Sequence, residues 1–459
     1  MPPSYTSKSI STIASASAPD STSHTLARYA VGTSAIPLSS TTRDTALKCL
    51  LDALASAGAA LDLPGVRAAR EGAVRLLGQG QVPIWFTDSH GSLGAALVAN
   101  SAATAALDLD DGYRRARGHP GAAVIPAALA VLGTEPDLQA DTLIAAIVAG
   151  YEVALRVAIG RPSYAPSGAW SPYGVIAAIG RLQGNSAEHI AHALAIAAQA
   201  APGLPALAGI AGSDVKEGIP YGCLAGLAAL EMARAGATGP LDIFDDPALF
   251  NAQAILDGLG GTPLIEGTYF KPYGCCRHIH GALDAFLALR QLQPFEAADI
   301  VALDVHTYRA TFNLANRAEP VSLVDAQYSV PFCMAAAALG GARALLPLKP
   351  SQLRDPSLLQ LAQRVTVHHD PEIEPLFPAR SPSRVTVVLK DGQRLDSPVV
   401  DPRGDPIQPL SWEDLVAKFR QASAHTLGSQ QQTVLASLER FAQGDTAPLR
   451  QALALHGTV

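Results

Sequence analysis

This sequence is short of charge, cysteine and aromatic side chains, and each shortage excludes something. Charged residues make up 16% of its 459 positions, aromatic residues 5%, and the formal net charge is −7. There is no global basic field to hold nucleic acid, so an anionic ligand would have to be met by a few local cations. The cysteines, Cys49, Cys223, Cys275, Cys276 and Cys333, are few, scattered and odd in number. That argues against a secreted disulfide framework and for a reducing compartment. Cys275 and Cys276 are adjacent, which places them poorly to bond each other. Neither GxGxxG after a strand nor GxxxxGK[ST] occurs, so the common nucleotide fingerprints are missing. The most apolar region, Ile190 to Gly212, is interrupted by Gln199, Pro202 and Pro205. Buried helix and loop fit it better than a membrane span. The Ser-rich leader has no apolar core of signal-peptide length, and Lys8 is its only basic side chain before Asp20. A flexible tail over 1–23 is expected, with a transit peptide as the alternative.

What is present is apolar bulk: 48% of the residues are hydrophobic. With this length, that composition suits a folded protein of two domains. From Ser40 the text reads as helices, first "TTRDTALKCLLDALASAGAAL", then Ala/Leu segments at 93–108, 121–133, 140–158, 174–184, 187–200 and 222–236. So many small residues suggest closely packed helices in a mainly α domain over 24–268. The texture changes near Tyr269. "DIVALDVHTY" alternates, with Val301, Leu303 and Val305 assigned to one face, and "RVTVHH" is a second candidate strand. "RVTVVLKDGQRLDSPVV" places Asp391-Gly392 between β-rich arms, a strong hairpin signal. A smaller α+β domain over 269–404 is therefore expected. "SWEDLVAKFRQASA" then restores a helix, with Ser411 as N-cap and Asp414 three residues on, so 405–459 should return to the helical domain.

Four stretches carry polar groups that composition does not explain. "LDLDDGYRRARGHPGAAVIPAALA" sets Asp108, Asp110 and Asp111 before a basic loop with Arg114, Arg115 and Arg117, and puts His119 just before an Ala-rich helix. A solvated loop is the bland reading; a helix N-terminus that favours anions is the functional one. In "AGSDVKEGIPYG", Lys216 comes after a long stretch almost empty of charge and could sit on the surface or end in a pocket. "KPYGCCRHIH" packs Lys271, Cys275, Cys276, Arg277, His278 and His280 into ten residues. On an extended backbone Cys276, His278 and His280 would share one face. Zinc would need further ligands and an iron–sulfur cluster three convergent cysteines, and no spacing here supplies either. Imidazoles and cations suited to carboxylate binding and proton transfer remain. Finally, Tyr308 and Arg309 end the alternating strand, where side chains often face a cleft.

Together these segments resemble the MmgE/PrpD family, which includes 2-methylcitrate dehydratase, cis-aconitate decarboxylase and iminodisuccinate epimerase. The matching texts are "LDLDDGYRRARGHPGAAVIPA" at 107–127, "VKEGIPYG" at 215–222, "YFKPYGCCRHIHGALDA" at 269–285 and "AQYSVPFCMAAAALGG" at 326–341. The resemblance implies a large helical domain formed by both chain ends, with an inserted α+β lid and the active site in the cleft between them. It also implies no metal or organic cofactor, a homodimer, and a small anionic carboxylic acid as substrate, with neither nucleic acid nor membrane as partner. A cytoplasmic location is expected, with mitochondrial import left open by the leader. The family's acidic motif falls on Asp108, its histidine on His119, its pocket lysine on Lys216, and its lid histidines around Cys276 and His280. Tyr308 lies near the lid tyrosine. Where dehydratase-like and decarboxylase-like relatives have His-Pro, this chain reads Ala165-Pro166.

The expected chemistry removes or moves a proton beside a carboxylate and stabilises the resulting anion with cations. His119, Asp108, Lys216, His280 and Tyr308 are the candidate catalytic groups. Arg277, Cys276, His278, Arg114, Arg117 and Lys271 are the candidate substrate-binding groups. Dehydration of a citrate-like hydroxy acid comes first, decarboxylation of an aconitate-like acid second, and epimerisation of an iminodisuccinate-like acid third. A catalytically silent relative that binds an anion is the non-enzymatic alternative.

Overall fold

A computed structural model describes residues 20–32, 38–203 and 212–455. Residues 1–19 of the expected tail, and 204–211 of the apolar stretch, lie outside these. The tail reading is corrected at its end: Ser21 caps a helix over Thr22–Val31, and Thr22 and Ser23 are buried. The expected helices come next as Ser40–Ala60, Leu93–Ala105, Gly121–Thr134, Ala140–Ile159, Ser171–Leu182, Ala187–Ala200 and Ile219–Arg234. Their small residues let the axes close up. A Cβ on Gly150 would lie 3.0 Å from the carbonyl oxygen of Gly174, and one on Gly174 equally near that of Gly150. Helices Ala140–Ile159 and Ser171–Leu182 therefore pass backbone to backbone. Ala140–Ile159 is long and apolar enough to cross a membrane, but it is the buried centre of this bundle, with Arg156 bonded to Glu152 at 2.7 Å.

One hydrophobic core joins residues from Leu26 to Phe270 with Leu410 to Leu453, so the C-terminal helices pack on the N-terminal ones. Ser411 begins the first of them with the reciprocal Ser411–Asp414 cap that its sequence suggests. A second core runs from Tyr273 to Leu395. It lies between helices Arg277–Leu292 and Val330–Gly340 and one face of a four-stranded sheet. Strand Ile300–Thr307 is central, with Val365–His369 parallel on one side and Arg384–Leu389 antiparallel on the other, and Arg394–Asp396 beyond it at the edge. The Asp391-Gly392 turn joins the last two strands, closed by Leu389 N–H donating to the Gln393 carbonyl at 2.9 Å.

One face assignment is corrected. Leu303 and Val305 point into the core, but Val301 is 50% exposed. The register shifts between Ile300 and Ala302, so a bulge turns Val301 outward and gives its inward place to Ile300.

Candidate active site

A cavity of about 580 Å³ opens between the two cores. Its floor is the loop from Asp108 to His119, between helices Leu93–Ala105 and Gly121–Thr134. Gly112 and Tyr113 pair antiparallel with Tyr269 and Thr268, which draws the start of the lid onto this loop. Glycine is required there, because a Cβ at 112 would lie 2.3 Å from the Tyr269 ring. The same ladder delivers Lys271 to the acids: its Nζ donates to Asp108 Oδ1 at 2.8 Å and to the Asp108 carbonyl at 3.0 Å. Lys216 Nζ reaches Asp108 Oδ1 at 2.5 Å and Asp110 Oδ1 at 3.4 Å.

His119 lies across these carboxylates. Its Nδ1 donates to the Asp111 carbonyl at 2.7 Å, which leaves Nε2 at 3.3 Å from Asp108 Oδ1 and 3.9 Å from Glu217 Oε1. Its Nδ1 is also 3.3 Å from Asp110 Oδ2. Burial works against the imidazolium, but the Asp110 carboxylate outweighs it and holds His119 above its ordinary range. Burial likewise disfavours the Asp108 and Asp110 carboxylates. The surrounding Lys216, Lys271 and His119 cations overcome that and keep both well below the usual carboxylate range. Beneath them, Asp111 accepts from Tyr151 at 2.6 Å and from Gly121 N–H at 2.9 Å. Burial, then the Asp52 charge, push Asp111 up to about 7. Lys418, from the returning C-terminal helix, anchors the loop through Asp52 at 2.6 Å and the Leu109 carbonyl at 2.7 Å.

Asp108, Asp110 and His119 are close enough together to share a metal ion. Two ammonium groups already occupy Asp108 Oδ1. A cation would have to displace them or meet their repulsion, so the set fits a salt-bridge network better than a metal centre.

The lid supplies the opposite wall. The extended reading of "CCRHIH" is corrected, because a helix begins at Arg277 with Cys276 as its N-cap. Helical turn geometry separates His278 from His280. His278 borders the cavity with Cys276 and Arg277, whereas His280 is fully buried behind them. His280 Nε2 donates to the Cys275 carbonyl at 3.0 Å and its Nδ1 accepts from Arg277 Nη1 at 3.2 Å. It thus orients Arg277 and does not face the substrate space. Arg277 Nη2 also bonds Asp405 at 2.9 Å, and its guanidinium lies 4.7 Å over the Tyr269 ring. Arg114 pairs with the same Asp405. Tyr308 stacks on Phe377 at 4.3 Å, with the His278 ring 5.3 Å from Tyr308. Arg309, beside it, is exposed.

Asp108, His119, Arg114, Arg117, Lys271, Cys276, Arg277, His278 and Tyr308 all border the cavity. Lys216 acts from behind, through Asp108, and His280 through Arg277. Ala165 and Pro166 also border it, so the position where the family resemblance leads one to expect an imidazole carries a methyl group here. Three of the non-glycine residues with positive φ lie in this wall: Asp108 at +49°, Arg117 at +54° and Glu217 at +53°. Backbone strain of this kind persists where surrounding packing imposes it, often at functional sites. Arg161, Tyr164, Glu217 and Asp405 escaped the sequence reading; Glu217 adjoins Lys216 in the chain, but no pattern around it shows where it points.

Comparison with known families decides the membership. Residues 24–258 match the MmgE/PrpD N-terminal domain and residues 273–443 match the MmgE/PrpD C-terminal domain. The chain belongs to the MmgE/PrpD family. Among curated MmgE/PrpD-type relatives, the cis-aconitate decarboxylase of Aspergillus terreus (strain NIH 2624 / FGSC A1156) is 26% identical over 429 residues, covering 83% of this chain and 84% of its own. The human cis-aconitate decarboxylase is 26% identical over 358 residues, covering 72% and 73%. That of Mus musculus is 26% identical over 356 residues, covering 72% of each. These relatives are lyases.

Proposed function

We propose that this MmgE/PrpD protein is a cofactor-independent lyase of a small di- or tricarboxylic acid, and that it dehydrates a citrate-like hydroxy acid. The observation that carries the reading is His119. Its Nε2 borders a cavity whose other walls bring Lys271, Arg114, Arg117 and Arg277, and its acidic neighbours favour the imidazolium. A charged imidazole beside a carboxylate site is a proton donor, suited to a departing hydroxyl. Fixed cations around it stabilise the carbanion that forms next to a carboxylate, and do so more strongly than water would.

Decarboxylation of an aconitate-like acid is the second reading, favoured by the activity of the curated relatives. Ala165 weakens it, as it weakens any reading that needs the imidazole which the family resemblance expects in this wall. Purified protein incubated with citrate, 2-methylcitrate, cis-aconitate and iminodisuccinate separates the branches. Loss of the C–OH group supports dehydration, CO₂ release supports the second reading, and a change in optical rotation alone supports epimerisation. Binding without turnover would mark a silent relative. Activity should survive EDTA; its loss on chelation, with recovery on adding metal, would overturn the cofactor-independent reading.

A further inference from the structure

We propose that Glu217 is the catalytic base of this site, the group that takes the proton from the carbon beside the substrate carboxylate. The inference rests on the dehydration reading. Glu217 borders the cavity, yet its side chain is only 5% exposed. One carboxylate oxygen is fixed: Oε2 accepts from Ser167 N–H at 3.0 Å and from Ser167 Oγ at 2.5 Å. The other is left nearly free. Oε1 accepts one long bond, 3.3 Å, from the Tyr328 hydroxyl, and lies 3.9 Å from His119 Nε2.

The backbone is shaped to present this oxygen. Gly168 N–H donates to the Glu217 carbonyl at 3.0 Å, and Glu217 holds φ at +53°. The loop is thereby clamped to Ser167 and Gly168, directly after Ala165-Pro166. A carboxylate therefore enters the wall beside the position where an imidazole was expected. Asp108 also leaves one oxygen, Oδ2, without a partner among the described residues, but two ammonium groups and His119 gather at its Oδ1 and hold the carboxylate well below its usual range, which makes it the weaker base.

In the proposed step the C–H bond next to the carboxylate breaks and its proton passes to Glu217 Oε1. The electron pair forms the new carbon–carbon double bond, and the C–O bond breaks as His119 Nε2 gives its proton to the hydroxyl. The products are the enoate and water; Glu217 then loses a proton to solvent and His119 regains one.

The test reads hydrogen exchange as well as elimination. Citrate, 2-methylcitrate, cis-aconitate and iminodisuccinate are each incubated in D₂O with wild type and with Glu217→Gln, and deuterium entry at carbon is read by NMR. Glu217→Gln should lower both exchange and elimination by ~10²-fold or more while leaving the melting temperature near wild type. Exchange at the wild-type rate in that variant would overturn the assignment. If wild type exchanges hydrogen in a Glu217-dependent way but eliminates no water, the dehydration reading fails and the base assignment stands. If wild type exchanges none of the acids, both fall. Should Glu217→Gln fail to fold, Glu217→Asp replaces it: drawing the carboxylate back by one methylene should lower exchange and elimination together, by about tenfold or more. Wild-type exchange in that variant would overturn the assignment.

Discussion

His119 and His278 border one cavity, yet their surroundings are opposite in sign. His119 belongs to the helical domain and has Asp108, Asp110 and Glu217 around it, with Lys216 and Lys271 opposing but not cancelling their pull. His278 belongs to the lid; among the described residues no group bonds its Nδ1, and its charged neighbours are Arg114, Arg117 and Lys271. Burial first, then those cations, lower His278 to about 4. The same residue type is thus pushed toward its charged form on one wall and toward its neutral form on the other. One wall can donate a proton, and the other can accept or donate hydrogen bonds without adding charge. The site's chemistry lies in that asymmetry more than in any single side chain.

The harshest way to break the comparison is to remove the cation that makes the acidic wall possible. Lys216→Met should abolish measurable turnover and cost ~3–5 kcal/mol of stability, because it leaves Asp108 and Asp110 buried with too little positive charge. Chemical denaturation would read the loss. A variant of wild-type stability would show that Lys271 and His119 alone neutralise the loop. A smaller effect is expected on the lid wall. Arg277→Lys keeps a charge but loses the fork that joins Asp405, the Pro402 carbonyl and His280. KM for the substrate acid should rise about tenfold with little change in kcat. An unchanged KM would remove Arg277 from substrate binding and leave it as a strut between lid and C-terminal return.

Only the acidic half of this asymmetry was legible in the sequence. The acid loop announced itself because three aspartates, a basic run and a His-Pro stand together in a chain poor in charge. The helices were legible from apolar spacing, and their small residues from the need for axes to approach. Three things were hidden. "CRHIH" alternates over a short span and reads as a strand, but Ile279, Ala282, Leu283 and Phe286, all buried, carry the helical spacing that overrides it. That period shows only over the longer run from Arg277 to Leu292. The bulge that exposes Val301 and the positive φ that aims Glu217 are backbone events imposed by distant contacts, and no local pattern records them.

The two histidines also make opposite contributions to stability, which gives the finest test. An unfolded histidine titrates near 6.5. For His278 the folded value lies below that, at about 4, so between these pH values the unfolded chain binds more protons and stability falls as the pH drops. For His119 the folded value lies above 6.5; its contribution is complete below that pH and is lost as the pH rises through the folded value. His278→Gln should therefore flatten the acid side of the stability curve, gaining about 2 kcal/mol relative to wild type at pH 5 and almost nothing at pH 8. His119→Gln should do the reverse, with a deficit that is widest in acid and narrows as the pH climbs. Denaturant midpoints measured across pH 4.5 to 9 separate the two. Parallel curves for both variants would mean that the walls do not differ in sign, and the proton donor would have to be sought elsewhere in the cavity.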